Sequence, residues 1–406
     1  MSLAVRQIEL RNFRSYGQCR LSGMGQRIVL VGPNASGKTN IVEALQLCTG
    51  MSSFRNPRPV QLVRMGSESA QVCVDLSDGL RELRMNLDVD GKGRRYELNG
   101  KRRTGASLKG IMPAVVFTPD DLSLAKGSSS VRRHQLDLLG SQVSVGYRSV
   151  LQDYAKLIRQ KNRCLKEGAS SSYLAAFDDL LCRVGSQLFV LRMKLMAELE
   201  PYMADFYTSI SGGMGDLCLS YVPSWIQETS SDSSLLGGCD IPLGGICDKA
   251  SVSAKLARAL EVRREEERVR GRSLVGPHAD RVGFVVDGND ASLFASQGQQ
   301  RSAVLSLKMA ELSLVMSRIE QSPLLLLDDV MSELDESRRK AFIEAVPPDV
   351  QMVVTTTNRG YFDRSFLSTA DIIDMDECLV RDRPGGFVCN RMKWSGFGEG
   401  GVLHEE

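Results

Sequence analysis

The sequence predicts an α/β fold that carries a phosphate-binding loop and is divided by a mainly helical insertion. Three observations carry that prediction. Gly32-Pro33-Asn34-Ala35-Ser36-Gly37-Lys38-Thr39 follows a short apolar run at 28–31 and precedes Ile41, Ala44, Leu45 and Cys48 at helical spacing. A second apolar run at 324–327 ends in Asp328-Asp329. Between Lys38 and Asp328 lie 290 positions (328 minus 38), and most of that stretch is patterned as helix.

Composition sets the frame. A chain of 406 residues suggests roughly two to three domains. With 42% hydrophobic and 25% charged residues it reads as an ordinary globular protein, not a disordered or disulfide-stapled one. The N-terminus lacks the apolar core of a signal peptide and no run reaches 18 apolar residues, so a cytoplasmic protein is expected. The net charge of +2 neither demands nor excludes nucleic acid. The ten cysteines form no Cys-x-x-Cys pair and the three histidines are scattered, which favours reduced thiols over a zinc site.

The elements follow in order. The run at 28–31 suits a buried parallel strand, and Gly50 stops the helix after the loop. Residues 70–103 read as antiparallel strands, with Asn99-Gly100 as the hairpin signal. From 123 to 268 the pattern is helical. Leu151, Tyr154, Ala155 and Ile158 form one stripe. Phe177, Leu181, Val184, Leu188, Leu191 and Leu195 form a seam under three heptads long. Residues 228–254 read as a loose Ser/Gly-rich connection and 261–272 as a solvated charged helix. Strand–helix alternation returns over 269–390, with Leu305, Met309, Leu312 and Met316 on a helix and a strand at 352–354. The division expected is 1–122, 123–268, 269–390 and a flexible tail at 391–406.

The loop matches G-x-x-x-x-G-K-[ST] between a strand and a helix, the context its mechanism needs. Glycines turn backbone N–H groups toward phosphate oxygens, and the helix N-terminus adds its positive dipole end. Gly32 to Thr39 are the expected ATP-binding residues, with Lys38 on the β- and γ-phosphates and Thr39 on Mg²⁺. Asp328 is expected in the Mg²⁺ shell and Asp329 beside the attacking water, which makes Lys38, Asp328 and Asp329 the catalytic set. Ser296-Gln297-Gly298-Gln299-Gln300-Arg301 taken alone reads as a helix N-cap.

The motif order changes that reading. P-loop, S-x-G-x-Q, acid-ended strand, then Ser332-Glu333-Leu334-Asp335 is similar to the ABC-type ATPases. The chain resembles the RecF family more closely. The likeness lies in the opening Ile8-Glu9-Leu10-Arg11-Asn12-Phe13-Arg14-Ser15-Tyr16, the P-loop, the block from Val116 through Asp120-Asp121 to Arg132-Arg133, Gly276-Pro277-His278, Phe294 to Arg301, and the acid-ended strand. Ser129, Gln135, Ala279 and Arg281 depart from that family's usual residues, and Thr355-Thr356-Thr357-Asn358 carries no switch histidine.

The resemblance implies an ABC-type P-loop ATPase head, with a mixed sheet, flanking helices, an antiparallel β subdomain and an inserted helical arm. It implies ATP and Mg²⁺ as cofactors and an ATP-dependent homodimer in which Ser296, Gly298, Gln299 and Gln300 act in trans on the partner's nucleotide. It implies slow, DNA-stimulated ATP hydrolysis and binding to duplex and gapped DNA in recombinational repair and replication restart. It also implies RecR, with RecO, as partners in recombinase loading, and support of the SOS response. Candidate DNA contacts are Lys92, Arg94, Arg95, Lys101, Arg102 and Arg103 on the hairpin, and Lys156, Arg159, Lys161, Arg163 and Lys166 on an arm helix. Solvated basic faces are the plainer alternative. A transporter ATPase subunit, a long-armed SMC-type protein and a module using ATP only structurally are the rival functions.

Overall fold

The computed structural model describes residues 3–213, 215–226, 248–319 and 321–375 and a strand at 392–393. The chain divides into two compact units, residues 1–119 with 315–406 and residues 120–314.

The first unit holds two sheets around one helix. The antiparallel sheet contains β1 (Ala4–Phe13), β2 (Tyr16–Ser22), β4 (Ser69–Ser77), β5 (Glu82–Asp90), β6 (Gly93–Leu98) and β7 (Lys101–Arg103), in the order β2-β1-β4-β5-β6-β7. The β6–β7 turn is the expected Asn99-Gly100 pair. Both residues have positive φ (50° and 74°), and Leu98 faces Lys101 across it. The second sheet contains β3 (Arg27–Val31), β8 (Ala114–Phe117), β12 (Leu324–Asp328), β13 (Met352–Thr356), β14 (Asp371–Asp374) and β15 (Met392–Lys393), in the order β15-β14-β3-β13-β12-β8. Its strands are parallel except the edge strand β15. The acid-ended strand is separated from the P-loop strand by β13 alone.

Helix α1 (Lys38–Cys48) packs against strands of both sheets. The apolar stripe read from the sequence is too narrow, because every residue at 41–48 is buried. Each large apolar side chain there contributes about 1.5–3 kcal/mol relative to exposure. The two polar members are satisfied. Glu43 accepts from Arg14 at 2.8 and 2.7 Å and from Ser53 at 2.5 Å, and Gln46 accepts from the Phe54 N–H at 2.9 Å. Shorter helices α2 (Pro59–Leu62), α3 (Gly105–Leu108), α9 (Glu336–Ala345) and α10 (Arg364–Ser368) complete this unit.

The second unit is mainly helical: α4 (Ser129–Val143), α5 (Val145–Lys166), α6 (Ser171–Ser211), α7 (Lys249–Arg270) and the start of α8 (Gln297–Ile319). Strands β9 (Leu217–Val222), β10 (Arg281–Val286) and β11 (Asn289–Asp290) form its sheet. Strand β10 pairs antiparallel with β9. That pairing draws residues 269–314 into this unit, although the sequence pattern groups them with the later strands.

Helix α6 corrects the seam. Its buried line runs Leu174, Asp178, Leu181, Gly185, Leu188, Arg192, Leu195 and Leu199, alternating four and three apart over more than three heptads. The expected seam shares Leu181, Leu188 and Leu195 but is flanked by half-buried Phe177, Val184 and Leu191. Two charged members and a glycine hide the true line from a hydrophobicity count. Asp178 pairs with Lys161 at 2.7 Å, Arg192 pairs with Asp137 at 2.8 Å, and Gly185 lies against Tyr154 and Pro277. Helix α7 begins at Lys249, inside the expected connection, and buries Val252, Leu256, Leu260 and Glu267. The run at 261–272 is therefore only partly solvated. The rest of that connection, the tail beyond Lys393, and Cys239, Cys247, Cys378, Cys389 and His404 lie outside the described residues. The six described cysteines are in no disulfide with one another. No helix among the described residues is long and apolar enough to cross a membrane.

Candidate nucleotide-binding site

The P-loop bridges β3 and α1. Gly37, at φ 93°, is the N-cap of the helix, and a Cβ there would strike the Tyr16 ring. The Tyr16 hydroxyl also meets the Ser36 carbonyl at 3.4 Å, which fixes the loop from β2. Lys38 is 6% exposed and donates to the Gly32 and Pro33 carbonyls at 2.6 and 2.7 Å. An open cleft of about 280 Å³ is lined by the loop with Ser15, Asn40, Arg55 and Asp329.

The register carries the second motif to this cleft. On β13, Thr355 lies opposite Leu30 of β3 on one side and Asp328 of β12 on the other. The Thr39 and Thr355 hydroxyls each donate to Asp328 Oδ1 at 2.9 Å. The Asp329 N–H in turn donates to Thr355 Oγ1 at 2.9 Å, holding Asp329 in the left-handed region at φ 53°. One hydroxyl thus fixes the side chain of the first acid and the backbone of the second.

Burial pushes the Asp328 carboxyl above the usual carboxylate range, against the hydrogen bonds from Thr355 and Thr39 and the charges of Arg55 and Lys38. Asp329 is also raised, first by burial. Lys38 opposes that shift, while Asp328 and Glu333 add to it. Ser36 Oγ and Asp329 Oδ1 are buried without a hydrogen-bond partner among the described residues. Such orphans call for a polar ligand. A glycine-bounded loop at a helix N-terminus, a lysine, a hydroxyl on a carboxylate and a second unpartnered carboxylate oxygen fit a nucleotide phosphate chain with a divalent cation.

The structure thus brings the P-loop, Thr39, Asp328 and Asp329 together. Sequence reasoning missed Thr355 and Arg55. Thr355 stood in a segment read only for its lack of a histidine. Arg55 follows the helix with no motif to mark it; it lines the cleft and bonds Asn40 Oδ1 at 3.0 Å.

The S-x-G-x-Q turn lies in the other unit and opens α8. Ser296 and Gln297 are exposed, and Gly298 and Gln299 are half-buried. Ser296 and Gln299 form a reciprocal cap, with Gln299 N to Ser296 Oγ at 3.2 Å and Ser296 N to Gln299 Oε1 at 2.9 Å. Gln300 is a correction to the expected trans-acting set. It is 6% exposed and its amide donates to the Ala291 and Ala295 carbonyls at 2.9 and 3.0 Å, so it braces the turn from behind.

The basic surfaces also need correcting. Lys161, expected on phosphate, is 1% exposed and bonded to Asp178 at 2.7 Å and Glu267 at 2.5 Å. Its neighbours Lys156, Arg159, Arg163 and Lys166 on α5 are exposed, with Arg163 paired to Glu167 at 2.8 Å. On the hairpin, register sets Glu97 opposite Arg102 and Asp88 opposite Arg95, and Arg95 pairs with Asp90 at 2.7 Å. That face is largely neutralised. Arg94, Lys101 and Arg103 lie on the face of buried Tyr96, where Lys101 and Arg103 are exposed but Arg94, expected on phosphate, is half-buried against the Tyr96 hydroxyl. Among the departures, Ser129 Oγ accepts the Val282 N–H at 2.7 Å and Gln135 bonds Glu311 at 2.7 Å, so both are internal braces.

Known proteins resemble this chain over most of its length. The family described as RecF/RecN/SMC N terminal domain matches residues 4–376. The "DNA replication and repair protein RecF" of Synechococcus sp. (strain JA-3-3Ab) is 35% identical over 94% of this chain and 98% of its own. The protein of that name from Symbiobacterium thermophilum is 38% identical over 93% of each chain. Among solved structures, the "recombination mediator protein RecF-ATPrS in RecFOR pathway" superposes with TM-score 0.79 at 25% identity, covering 92% of this chain and 97% of that one. An SMC head bound to the winged-helix domain of ScpA follows at TM-score 0.53 and 15% identity, over 96% of this chain and 98% of that one, a likeness of fold. With a family match across most of its length and near-full-length relatives above 30% identity, the chain belongs to the RecF family.

Proposed function

We propose that this chain is an ATP-dependent DNA-binding switch of recombinational repair and replication restart. The observation that carries the reading is the 2.9 Å bond from Thr39 to Asp328, which joins two motifs 289 positions apart at the mouth of the P-loop. Bound Mg²⁺–ATP supplies the phosphoanhydride to be cleaved and the divalent charge that offsets its oxygens. Lys38 leaves its two carbonyls to hold phosphate oxygens. Thr39 and Asp328 hold the cation, and Asp329 takes the proton of the attacking water. Arg55 adds a cation at the rim of the same cleft.

Ser296 and Gly298 of a second copy close the site in trans. A helix N-terminus is a ready anion site, and Ser296 and Gln297 stand exposed at its tip. Nucleotide binding and dimerisation are then linked, and hydrolysis releases the pair. The words "recombination mediator" and "RecFOR pathway" in the name of a solved relative support a place beside RecO and RecR; loading of a recombinase, with gapped duplex as the DNA, belongs to the same reading. The exposed cations of α5 and the exposed Lys101, Arg102 and Arg103 of β7 are the phosphate contacts.

Sedimentation of the full chain without nucleotide, with ADP and with ATP, each with and without gapped duplex, tests the reading. Dimers are expected with ATP alone and heavier complexes with DNA added. Ser296→Arg is expected to bind ATP and stay monomeric; normal ATP-driven dimers of that variant would end the proposal.

A further inference from the structure

Thr355 and Arg339 hold the turn that carries Asp329 from its two ends. At the near end, Thr355 Oγ1 accepts the Asp329 N–H at 2.9 Å. The chain then makes a short 3-10 turn, Val330–Glu333, and the Ser332 hydroxyl closes it by donating to the Asp329 carbonyl at 2.7 Å. At the far end stands Arg339, one turn into α9. Its Nη1 donates to the Leu334 carbonyl at 2.8 Å and to the Met331 carbonyl at 3.2 Å. Those carbonyls lie within the turn and just past it, so one guanidinium nitrogen ties its outgoing half together.

The guanidinium is itself seated. Its carbon lies 4.8 Å from the centroid of the Tyr361 ring, within cation–π range. Tyr361 ends the 3-10 turn Arg359–Tyr361, which Asn358 caps just beyond β13 by accepting the Gly360 N–H at 2.8 Å. The segments leaving β12 and β13 thus meet on one arginine. Arg339 is half-buried, has no ion pair among the described residues, and keeps its Nε buried without a hydrogen-bond partner. An unmet donor on a cation costs stability, so this placement serves something other than stability.

We infer that Arg339 is a positioning residue for hydrolysis: it holds the Val330–Glu333 turn so that Asp329 keeps its aim at the attacking water. The inference rests on the role given to Asp329 under the proposed function. Asp329 sits in the left-handed region at φ 53°, which a residue other than glycine keeps only where its surroundings hold it. Its N–H end is gripped by Thr355, and its carbonyl end leads straight into the turn that Arg339 grips. Burial of Val330, Met331 and Leu334 anchors the same segment. Apolar packing is non-directional, however, and does not fix where the carbonyls point. Arg339 stands outside the lining of the nucleotide cleft, so it acts through the turn and touches no phosphate. A displacement of about 1 Å at a reacting group can cost about a hundredfold in rate, so a small slackening of the turn is enough to be read.

Arg339→Met in the full chain keeps the packing stem and removes both bonds. Single-turnover hydrolysis at saturating Mg²⁺–ATP, measured where sedimentation shows the parent as a dimer, is expected to fall about tenfold or more. Affinity for a fluorescent ATP analogue is expected to stay at the parental value, which also shows that the variant is folded. Arg339→Lys keeps an ammonium that can donate to two carbonyls, as Lys38 does, and is expected to restore most of the rate. Tyr361→Leu unseats the guanidinium without touching the carbonyls. It is expected to give an intermediate loss alone and little further loss on top of Arg339→Met. Should the methionine chain fail to fold, the lysine and leucine variants carry the same test. The inference is overturned by a parental rate in Arg339→Met, by a loss that appears in ATP affinity or follows the fraction of dimer, or by a lysine variant no better than methionine. Lys38→Ala, run alongside, separates the two claims. If it hydrolyses ATP normally, the nucleotide reading fails; if it is inactive while Arg339→Met is normal, only the role of Arg339 falls.

Discussion

Two buried lysines show how differently the two units use charge. Lys38 is 6% exposed and Lys161 is 1% exposed. Lys161 sits between Asp178 and Glu267, and the other Glu267 oxygen accepts from Ser273 Oγ at 3.0 Å and the Leu274 N–H at 2.7 Å. Every charge in that cluster faces an opposite charge, although Asp178 Oδ1 and Arg264 Nε make no aligned hydrogen bond. Lys38 holds two backbone carbonyls while Ser36 Oγ and Asp329 Oδ1 nearby stay unpartnered. A structural cluster answers its charges with one another. A ligand site leaves polar atoms and a lysine to be answered from outside, and burial holds its carboxyls above their usual range.

The sharpest test of that contrast exchanges the two residues' expected failures. Lys38→Ala should cost ATP hydrolysis about a hundredfold or more, with the urea midpoint unchanged. Lys161→Ala should do the reverse. It strands two buried carboxylates, for about 3–5 kcal/mol of stability in urea melts, while each folded molecule still binds nucleotide. A Lys161→Ala chain as stable as the parent would show that the ion cluster is hydrated and the contrast false.

The same contrast explains what was legible in the sequence. The nucleotide site could be read because its chemistry is local: eight consecutive residues for the loop, and five consecutive residues for the strand and first acid. Their meeting could be expected because parallel strands bring motifs to one sheet edge. The arm could not be read so well, because its core is partly polar. Asp178, Arg192, Lys161 and Glu267 look like surface residues to any count of hydrophobicity, and only their partners 17 to 106 positions away show otherwise. Thr355 was missed for a related reason: its role comes from strand order, which no single segment contains.

Thr355 therefore offers a smaller and more discriminating test. Thr355→Val keeps the shape of the buried side chain and removes both bonds, freeing Asp328 to rotate and Asp329 to leave its left-handed conformation. Hydrolysis should fall about ten- to a hundredfold, with affinity for ATP in the absence of Mg²⁺ nearly unchanged. Thr355→Ser retains the hydroxyl and should restore most of the rate. A valine variant with a normal rate and normal Mg²⁺ dependence would show that the two acids hold themselves in place.

The mildest effect belongs to the arm and is read by pH. His278 lies between the Tyr154 hydroxyl, 2.8 Å from Nδ1, and the Ser273 carbonyl, 3.2 Å from Nε2. A carbonyl can only accept, so Nε2 carries the proton and Nδ1 accepts from Tyr154. Burial pulls the ring's pKa below its usual value, aided by the Arg133 charge and opposed by the Ser273 carbonyl, Asp280 and Glu267. Between that lowered value and about 6.5, the unfolded chain takes up a proton that the folded arm refuses. The arm should therefore lose stability as pH falls below about 6.5 and level off once the folded ring also protonates. Hydrogen exchange of α5 and α6 amides between pH 7.5 and 5.5, corrected for intrinsic rates, follows this directly. His278→Gln keeps a donor and an acceptor but cannot titrate, so the pH dependence should flatten in that variant. If the parent and the variant open with the same pH profile, the neutral ring is not what ties Tyr154 to the Ser273 turn, and the arm's polar network is less complete than its distances imply.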